Sequence, residues 1–260
     1  MNHMTQAEQN REFYDDVAKY GPYAVCGNNL GGLKSRYIAA VLDAALLPLL
    51  QRQTEPVRLL DFGCGTGIFT VKAQPYVRQI VGADVSAGLL KVACEFSAGN
   101  GREVSFVQAD GLSLPFSDSV VNRIVAREVL GGFPDEIIAD VLAELARVLE
   151  PGGKFYLLDQ VSESPKWQRA PVAPFPPTRK RGVDEIIRLF KGAGFELESA
   201  VAVRRPRFPW IYLFWLRMLP PILIQPLARL EVLWNRYFCP VKSRRWQDDL
   251  FIFRRIKRAD

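Results

Sequence analysis

The stretch LLDFGCGTG, residues 59–67, closes one apolar run and opens another of helical character. Its glycines, Gly63, Gly65 and Gly67, let the backbone turn tightly and approach a ligand closely. A helix starting behind them would turn its unpaired N–H groups toward whatever the loop holds. Loops of this kind serve more than one class of nucleotide-like ligand, so the flanking acids carry the discrimination. Asp61, two residues before Gly63, would repel a pyrophosphate yet suits an ammonium group, met directly or through water. Asp84 ends GADVS, where a carboxylate can accept hydrogen bonds from two ribose hydroxyls, and Asp110 in VQADGLSLPF could accept from an amino group on a base. Each also has a plainer reading as a helix cap or turn residue, strongest for Asp110. Glu128 and Asp159 follow two later apolar runs, as general bases or as ion-paired carboxylates. The one histidine is His3, in a polar N-terminal segment, so imidazole chemistry and histidine-liganded metals are not expected.

The elements that would position these groups follow from periodicity. Thr5 and Glu8 have capping-box spacing and predict a helix over 5–19; GGLKSRYIAAVLDAALLPLL predicts a second that starts after Gly32 and ends near Pro48. From residue 56, short apolar runs alternate with helical ones: VRLLDF, QIVGADV, VSFVQAD, VVNRIVARE and GKFYLLD are strands within five β-α steps. Continuous apolar strands separated by helices mean a parallel, doubly wound α/β sheet covered on both faces. Asp61, Asp84 and Asp110 then stand on three consecutive strand ends along one edge of that sheet, where such folds bind ligands. The run SESPKWQRAPVAPFPPTRKRG reads as a long loop, VDEIIRLFKGAGF as a helix closed by glycine, and ELESAVAV and DDLFIFRRIK as two more strands. The last places Leu250, Ile252 and Arg254 on one face and Phe251, Phe253 and Arg255 on the other. The expected organisation is a helical cap over 1–50, a ligand-binding domain over 51–205, a helical insertion over 206–247, and the closing strand over 248–260.

The pieces LLDFGCGTG (59–67), GADVSAGLL (82–90), VQADGLSLPFSDSVVNRIVAREVLGGF (107–133) and LARVLEPGGKFYLLD (145–159) together resemble the class I S-adenosyl-L-methionine-dependent methyltransferases, in the branch of the ubiquinone and menaquinone enzymes. The resemblance implies a Rossmann-like seven-stranded sheet, mainly parallel with its last strand antiparallel, and S-adenosyl-L-methionine as cofactor. It implies that Asp61, Gly63, Cys64 and Gly65 surround the methionine end, that Asp84 takes the ribose, that Val85 lies on one face of the adenine, and that Asp110 and Gly111 meet its edge. Arg127 would lie beneath the sulfonium side, and Tyr14 and Tyr20 from FYDDVAKY would line the cofactor. Two departures stand out: Asn122 occupies a position where aspartate is usual, a strand-edge variation, and VLGGF has glycines where histidines are common, which removes a base.

Composition bounds the rest. The chain has 260 residues, 48% hydrophobic, enough for an ordinary core; its four cysteines stand singly, with no zinc or disulfide pattern. Nothing at the N-terminus reads as a secretory signal, so a cytoplasmic location is expected. Residues 201–260 hold 13 Lys/Arg against 4 Asp/Glu, whereas residues 1–200 hold 21 against 24. Within that basic tail, PWIYLFWLRMLPPILIQPLARLEVLW is broken by Arg217, Pro220, Pro221 and Pro226, too short on either side to span a bilayer. Three roles remain open for it: an element lying peripherally in a membrane interface, a cap over an apolar substrate, or a packed subdomain. The expected acceptor is small or lipid-linked and partly apolar, methylated on oxygen or carbon; RNA read by the basic tail is the alternative.

Overall fold

The protein is described by a computed structural model covering residues 6–25, 32–164, 178–205, 209–242 and 246–256. His3, Cys26 and the proline-rich run 165–177 lie outside the described residues. The seven expected strands form: β1 (Arg58–Phe62), β2 (Gln79–Asp84), β3 (Ser105–Gln108), β4 (Val121–Arg127), β5 (Leu149–Val161), β6 (Phe195–Arg204) and β7 (Gln247–Arg255). They make one sheet in the order β3-β2-β1-β4-β5-β7-β6. The first five pair in parallel, and β7 runs antiparallel to both β5 and β6. The strand order reverses between β1 and β4, and the C-terminal ends of those strands open the crevice in which such sheets hold ligands.

Helices cover both faces. On one face α5 (Ile138–Val148) and α6 (Val183–Gly192) pack against Phe155, Leu157, Phe251 and Phe253. Phe190 of α6 stacks on Phe253 with ring centroids 3.9 Å apart and meets Phe155 edge-on at 5.1 Å. On the other, α2 (Leu33–Gln51), α3 (Ile68–Ala73), α7 (Pro209–Trp215) and α8 (Ile224–Phe238) contribute to a second core with Leu59, Val125, Tyr156, Leu250 and Val203. The alternation read in the last strand is realised: Leu250 and Ile252 serve this core, Phe251 and Phe253 the opposite one. Two further helices, α1 (Gln6–Val17) and α4 (Ala87–Gly99), flank the crevice.

Helix boundaries shift where one local signal is outweighed. α2 continues through Pro48 to Gln51. A proline this near the C-terminus deprives only one carbonyl of an N–H partner, and burial of Leu46 and Leu50 holds the last turn in place. α1 stops at Val17 and tightens into a single 3-10 turn over Ala18–Tyr20, after which Gly21 takes φ +83°. β5 begins at Leu149, directly after α5 and well before the expected Gly153.

Asn122 has a specific task at the start of the sheet. Its Oδ1 accepts from the Arg58 N–H at 2.9 Å and its Nδ2 donates to the Pro56 carbonyl at 2.9 Å, so one buried amide satisfies both a donor and an acceptor where the chain enters β1. An aspartate could not donate the second bond. Asn122→Ala should therefore lower unfolding stability by about 1–3 kcal/mol, the loss of two partly buried hydrogen bonds, measured as a shift in the urea midpoint with little change in slope.

Candidate active site

The loop after β1 is built on left-handed backbone: Gly63, Gly65 and Gly67 have φ of +68°, +55° and +70°. A Cβ at Gly63 would come 2.3 Å from Val129 Cγ2, and one at Gly67 would come 2.8 Å from both Ala93 Cβ and Phe106 Cζ. Glycine is thus required there by backbone angle and by space. The amides so exposed are used at once: Gly63 and Cys64 N–H donate to the Ala83 carbonyl at 2.8 and 3.0 Å, and Gly65 N–H donates to Asp84 Oδ2 at 2.8 Å. The second Asp84 oxygen accepts from Ser86 N–H at 3.0 Å. Burial pushes the Asp84 carboxyl above its usual range, and these backbone donors oppose that shift.

Beside this turn lies a cavity of about 230 Å³ whose walls include Tyr14, Gly63, Cys64, Gly65, Asp84, Val85, Asp110, Arg127 and Glu128. Nine residues singled out from sequence therefore meet at one cavity. Tyr14 reaches it from α1, and burial, with the negative charges of Asp84 and Glu128, pushes its hydroxyl up to about 12. Asp110 shares its carboxylate with the Leu112 and Ser113 N–H groups at 2.9 and 3.4 Å, so its turn role and its place on the wall coexist. Arg127 Nη1 donates to Asp43 Oδ1 at 2.9 Å, and its guanidinium lies 4.7 Å from the Phe69 ring centre.

Four residues singled out from sequence are not on the wall. Asp61 is buried below the loop, where it accepts from Thr70 Oγ1 at 2.6 Å; burial pushes it up to about 6, while Arg127 and Thr70 pull the other way. Gly111, at φ +90°, packs against Phe62 and Phe133, with 2.8 Å between its Cβ position and Phe62 Cζ. Tyr20 is 47% exposed beside Lys19, because the 3-10 turn after α1 swings it out of line with Tyr14. Asp159 is buried away from the cavity and accepts from Leu130 N–H at 3.1 Å and Gln160 N–H at 2.7 Å. Burial, reinforced by Glu128, pushes it up to about 7. There it caps the turn after β4.

Glu128 is the carboxylate that remains at the cavity. Its φ of +52° is uncommon for a residue with a side chain, the kind of strain found at functional sites. Its N–H donates to the Leu158 carbonyl, Gln160 Nε2 donates to its Oε1 at 2.8 Å, and Arg204 Nη2 lies 3.4 Å away. Arg204 is buried and also bonds Asp248; burial opposes its charge, but Asp248 and Glu128 outweigh that and keep the guanidinium protonated above its ordinary range. Sequence reading missed Arg204 and Asp248, distant in the chain from the glycine loop, and Asp43, which lies inside a helix. It also missed Asp15, whose Oδ1 accepts from Ser86 Oγ at 2.5 Å and Gly88 N–H at 2.8 Å. The one available signal was the pair of acids in FYDD directly after Tyr14.

Comparison with known proteins agrees with this geometry. A family model for a methyltransferase domain matches residues 59–153. The demethylmenaquinone methyltransferase of Thermus thermophilus is 32% identical over 130 residues, 49% of this chain and 56% of that enzyme. Among solved structures, the [4+2]-cyclase SpnF superposes with a TM-score of 0.72 at 23% identity, covering 97% of this chain and 96% of that one. The geranyl diphosphate C-methyltransferase of Streptomyces coelicolor A3(2), solved with geranyl diphosphate and S-adenosyl-L-homocysteine, gives 0.68 at 17%, covering 98% of this chain and all of that one. Residues 59–153 are therefore similar to a methyltransferase domain, and the chain resembles the demethylmenaquinone methyltransferases over about half of its length. It spans less than two thirds of the length of the curated relatives it matches.

The buried acids set a pH dependence. Burial lifts Asp61 to about 6, Asp159, Asp248 and Glu231 to about 7, and Asp249 to about 8. Each binds its proton more tightly folded than unfolded, so between about pH 4 and pH 8 the native state carries extra protons and loses stability as pH rises. Glu144, held below its usual range by its hydrogen bonds to Arg147, contributes the opposite slope, lost as pH falls below its ordinary value of 4.5. The thermal midpoint should rise as pH falls from about 8 toward 5.5. Asp249→Asn, which removes a carboxylate whose Oδ2 has no hydrogen-bond partner among the described residues, should melt higher than the parent near pH 8, by a margin that narrows steadily as pH falls toward about 4. A parent midpoint that falls on acidification over this range would contradict the assignment.

Proposed function

We propose that this protein transfers a methyl group from S-adenosylmethionine to a small or lipid-linked, partly apolar acceptor. The observation that carries the reading is the convergence of the left-handed glycine loop, Asp84 and Asp110 on one cavity that also holds a single strained carboxylate, Glu128. The cradle fits the cofactor: Gly63 and Gly65 bring left-handed backbone to the cavity wall, and Asp84 is already oriented by two backbone amides. In this reading Asp84 takes the ribose hydroxyls, Val85 lies beside the adenine, and Asp110 accepts from its amino group. Asp61 acts from beneath the loop through its charge rather than by contact. Arg127 is held against two carboxylates, Asp43, which it shares with Lys72, and the nearby Asp61, and these offset its charge toward a cationic ligand. Tyr14, Cys64 and Gly65 complete the methionine side.

When bound, S-adenosylmethionine supplies an activated methyl on a positively charged sulfur, so the protein's own share is alignment, exclusion of water and, for a hydroxyl acceptor, removal of a proton. Glu128 is the group placed for that proton, and Gln160 and Arg204 hold its carboxylate in position. The apolar lining from Leu42, Val129, Phe133 and Ile137 favours an acceptor with a hydrocarbon portion. Relatives named for demethylmenaquinone and geranyl diphosphate support that class. RNA is not supported: within the basic tail, Arg204 is buried against Asp248 and Arg254 pairs with Glu196.

A cyclase shares the fold, so the reaction itself must be measured. Calorimetry should detect S-adenosylhomocysteine binding, weakened at least about tenfold by Asp84→Ala, the loss of one charged pair of hydrogen bonds. With methyl-labelled cofactor and a fractionated extract, label should enter a lipid or small-molecule fraction rather than RNA. Glu128→Gln should then slow transfer to a hydroxyl acceptor by about 10²-fold or more with cofactor affinity unchanged. Binding without transfer into any fraction would overturn the enzymatic reading.

A further inference from the structure

The helices α7 and α8 expose large apolar residues on their outer sides although their inner sides already serve the core. α8 turns Glu231 and Asn235 inward, where Tyr37 donates to Glu231 Oε2 at 2.5 Å and Asn235 Nδ2 donates to the Val203 carbonyl at 3.0 Å. It turns Leu230, Leu233, Trp234, Tyr237 and Phe238 outward, and Phe238 is 69% exposed. These positions are spaced i, i+3, i+4, i+7 and i+8, a single stripe along one side of the helix. α7 too is apolar on its outer side: Ile211 and Phe214 are buried, with Phe214 stacked on Tyr37 at 4.9 Å, whereas Tyr212, Trp215 and, just after the helix, Leu216 are exposed. Between them Met218 and Ile222 are 66% and 82% exposed. A helix pair that only capped the sheet would put its apolar side in and its polar side out, so both outward stripes call for an occupant other than water.

The charges around the stripes say which one. Between residues 209 and 238 the only carboxylate is Glu231, which is buried, while Arg217, Arg229 and Arg236 are all exposed. An apolar and aromatic stripe edged by arginines with no exposed acid matches the boundary of an anionic bilayer: hydrocarbon for the leucines, the interface for tryptophan and tyrosine, phosphate for the guanidinium groups. We infer that α7 and α8 dock this protein on the surface of an anionic lipid membrane, lying in the interface and not crossing it. Among the described residues no helix is long and apolar enough to cross. The inference does not rest on the methyl-transfer reading, since binding to vesicles is measured without turnover.

The test is co-sedimentation of the full chain with vesicles of phosphatidylcholine alone or mixed with phosphatidylglycerol, alongside sedimentation velocity without lipid. The parent should bind the mixed vesicles, weaken with added salt, and shift its tryptophan emission to the blue on binding. Trp234→Ser with Phe238→Ser should lose about tenfold or more in partitioning, the apolar surface of two aromatic rings. Arg229→Glu and Arg236→Glu should each lose about fivefold or more. All four substitutions are at exposed positions, so circular dichroism and the thermal midpoint should stay those of the parent. Failure to bind either vesicle, equal binding to both, or a lipid-free dimer split by the Trp234/Phe238 pair would each overturn the inference, the last by showing that a second copy covers the stripe.

Discussion

Asp84 receives N–H groups from two different strand-to-helix turns, Gly65 after β1 and Ser86 after β2, one on each carboxylate oxygen. The remainder of the cavity is arranged around that junction. It fixes how far the glycine loop stands from the neighbouring strand, and Gly63 and Cys64 repeat the tie by donating to the Ala83 carbonyl. The third participant is α1: Asp15 accepts from Ser86 Oγ and from Gly88 N–H, and a Cβ at Gly88 would come 2.9 Å from Asp15 Oδ1. The helix that carries Tyr14 over the cavity is therefore anchored beside the turn that positions Asp84. Hydrogen bonds to a charged acceptor contribute about 1.5–3 kcal/mol each, enough for the two turns and the covering helix to act as one unit.

A second constraint lies across the cavity. Glu128 takes a left-handed backbone that costs on the order of 1–3 kcal/mol, and its surroundings sustain it. Gln160 and Arg204 hold its carboxylate, and Asp159 caps the Leu130 turn that follows. Arg204 in turn meets Asp248 across the β6–β7 pair. A buried guanidinium between two acids stabilises the fold little once desolvation is counted. What it supplies is direction, since it leaves Glu128 few orientations.

The sheet was legible because its strands are continuous apolar runs punctuated by glycine and acid, a pattern that survives without knowledge of the partners. The alternation in DDLFIFRR even assigned Phe251 and Phe253 to one core and Leu250 to the other. The glycine loop, Asp84 and Asp110 were legible for the same reason: a strand end and the residues after it are local in sequence. Tyr20, Asp159 and Gly111 went astray because whether a side chain faces a cavity depends on one turn of backbone, and the 3-10 turn after Val17 or the cap at Leu130 leaves little trace in composition. Asp43 and Arg204 were invisible on other grounds. Their partners, Arg127 and Asp248, lie 84 and 44 residues away, and nothing short of the folded sheet brings them together.

Arg204 and Asp248 face each other in register at the ends of adjacent strands. The chain between them, including both outward-striped helices, leaves the sheet and re-enters it at a single point. Closing a longer loop at fixed ends costs only about 0.6 kcal/mol for each doubling of its length. Such a segment can vary its outward surface while β6, β7 and the cavity beyond them keep their places, so long as Phe214, Glu231 and Asn235 keep their inward contacts.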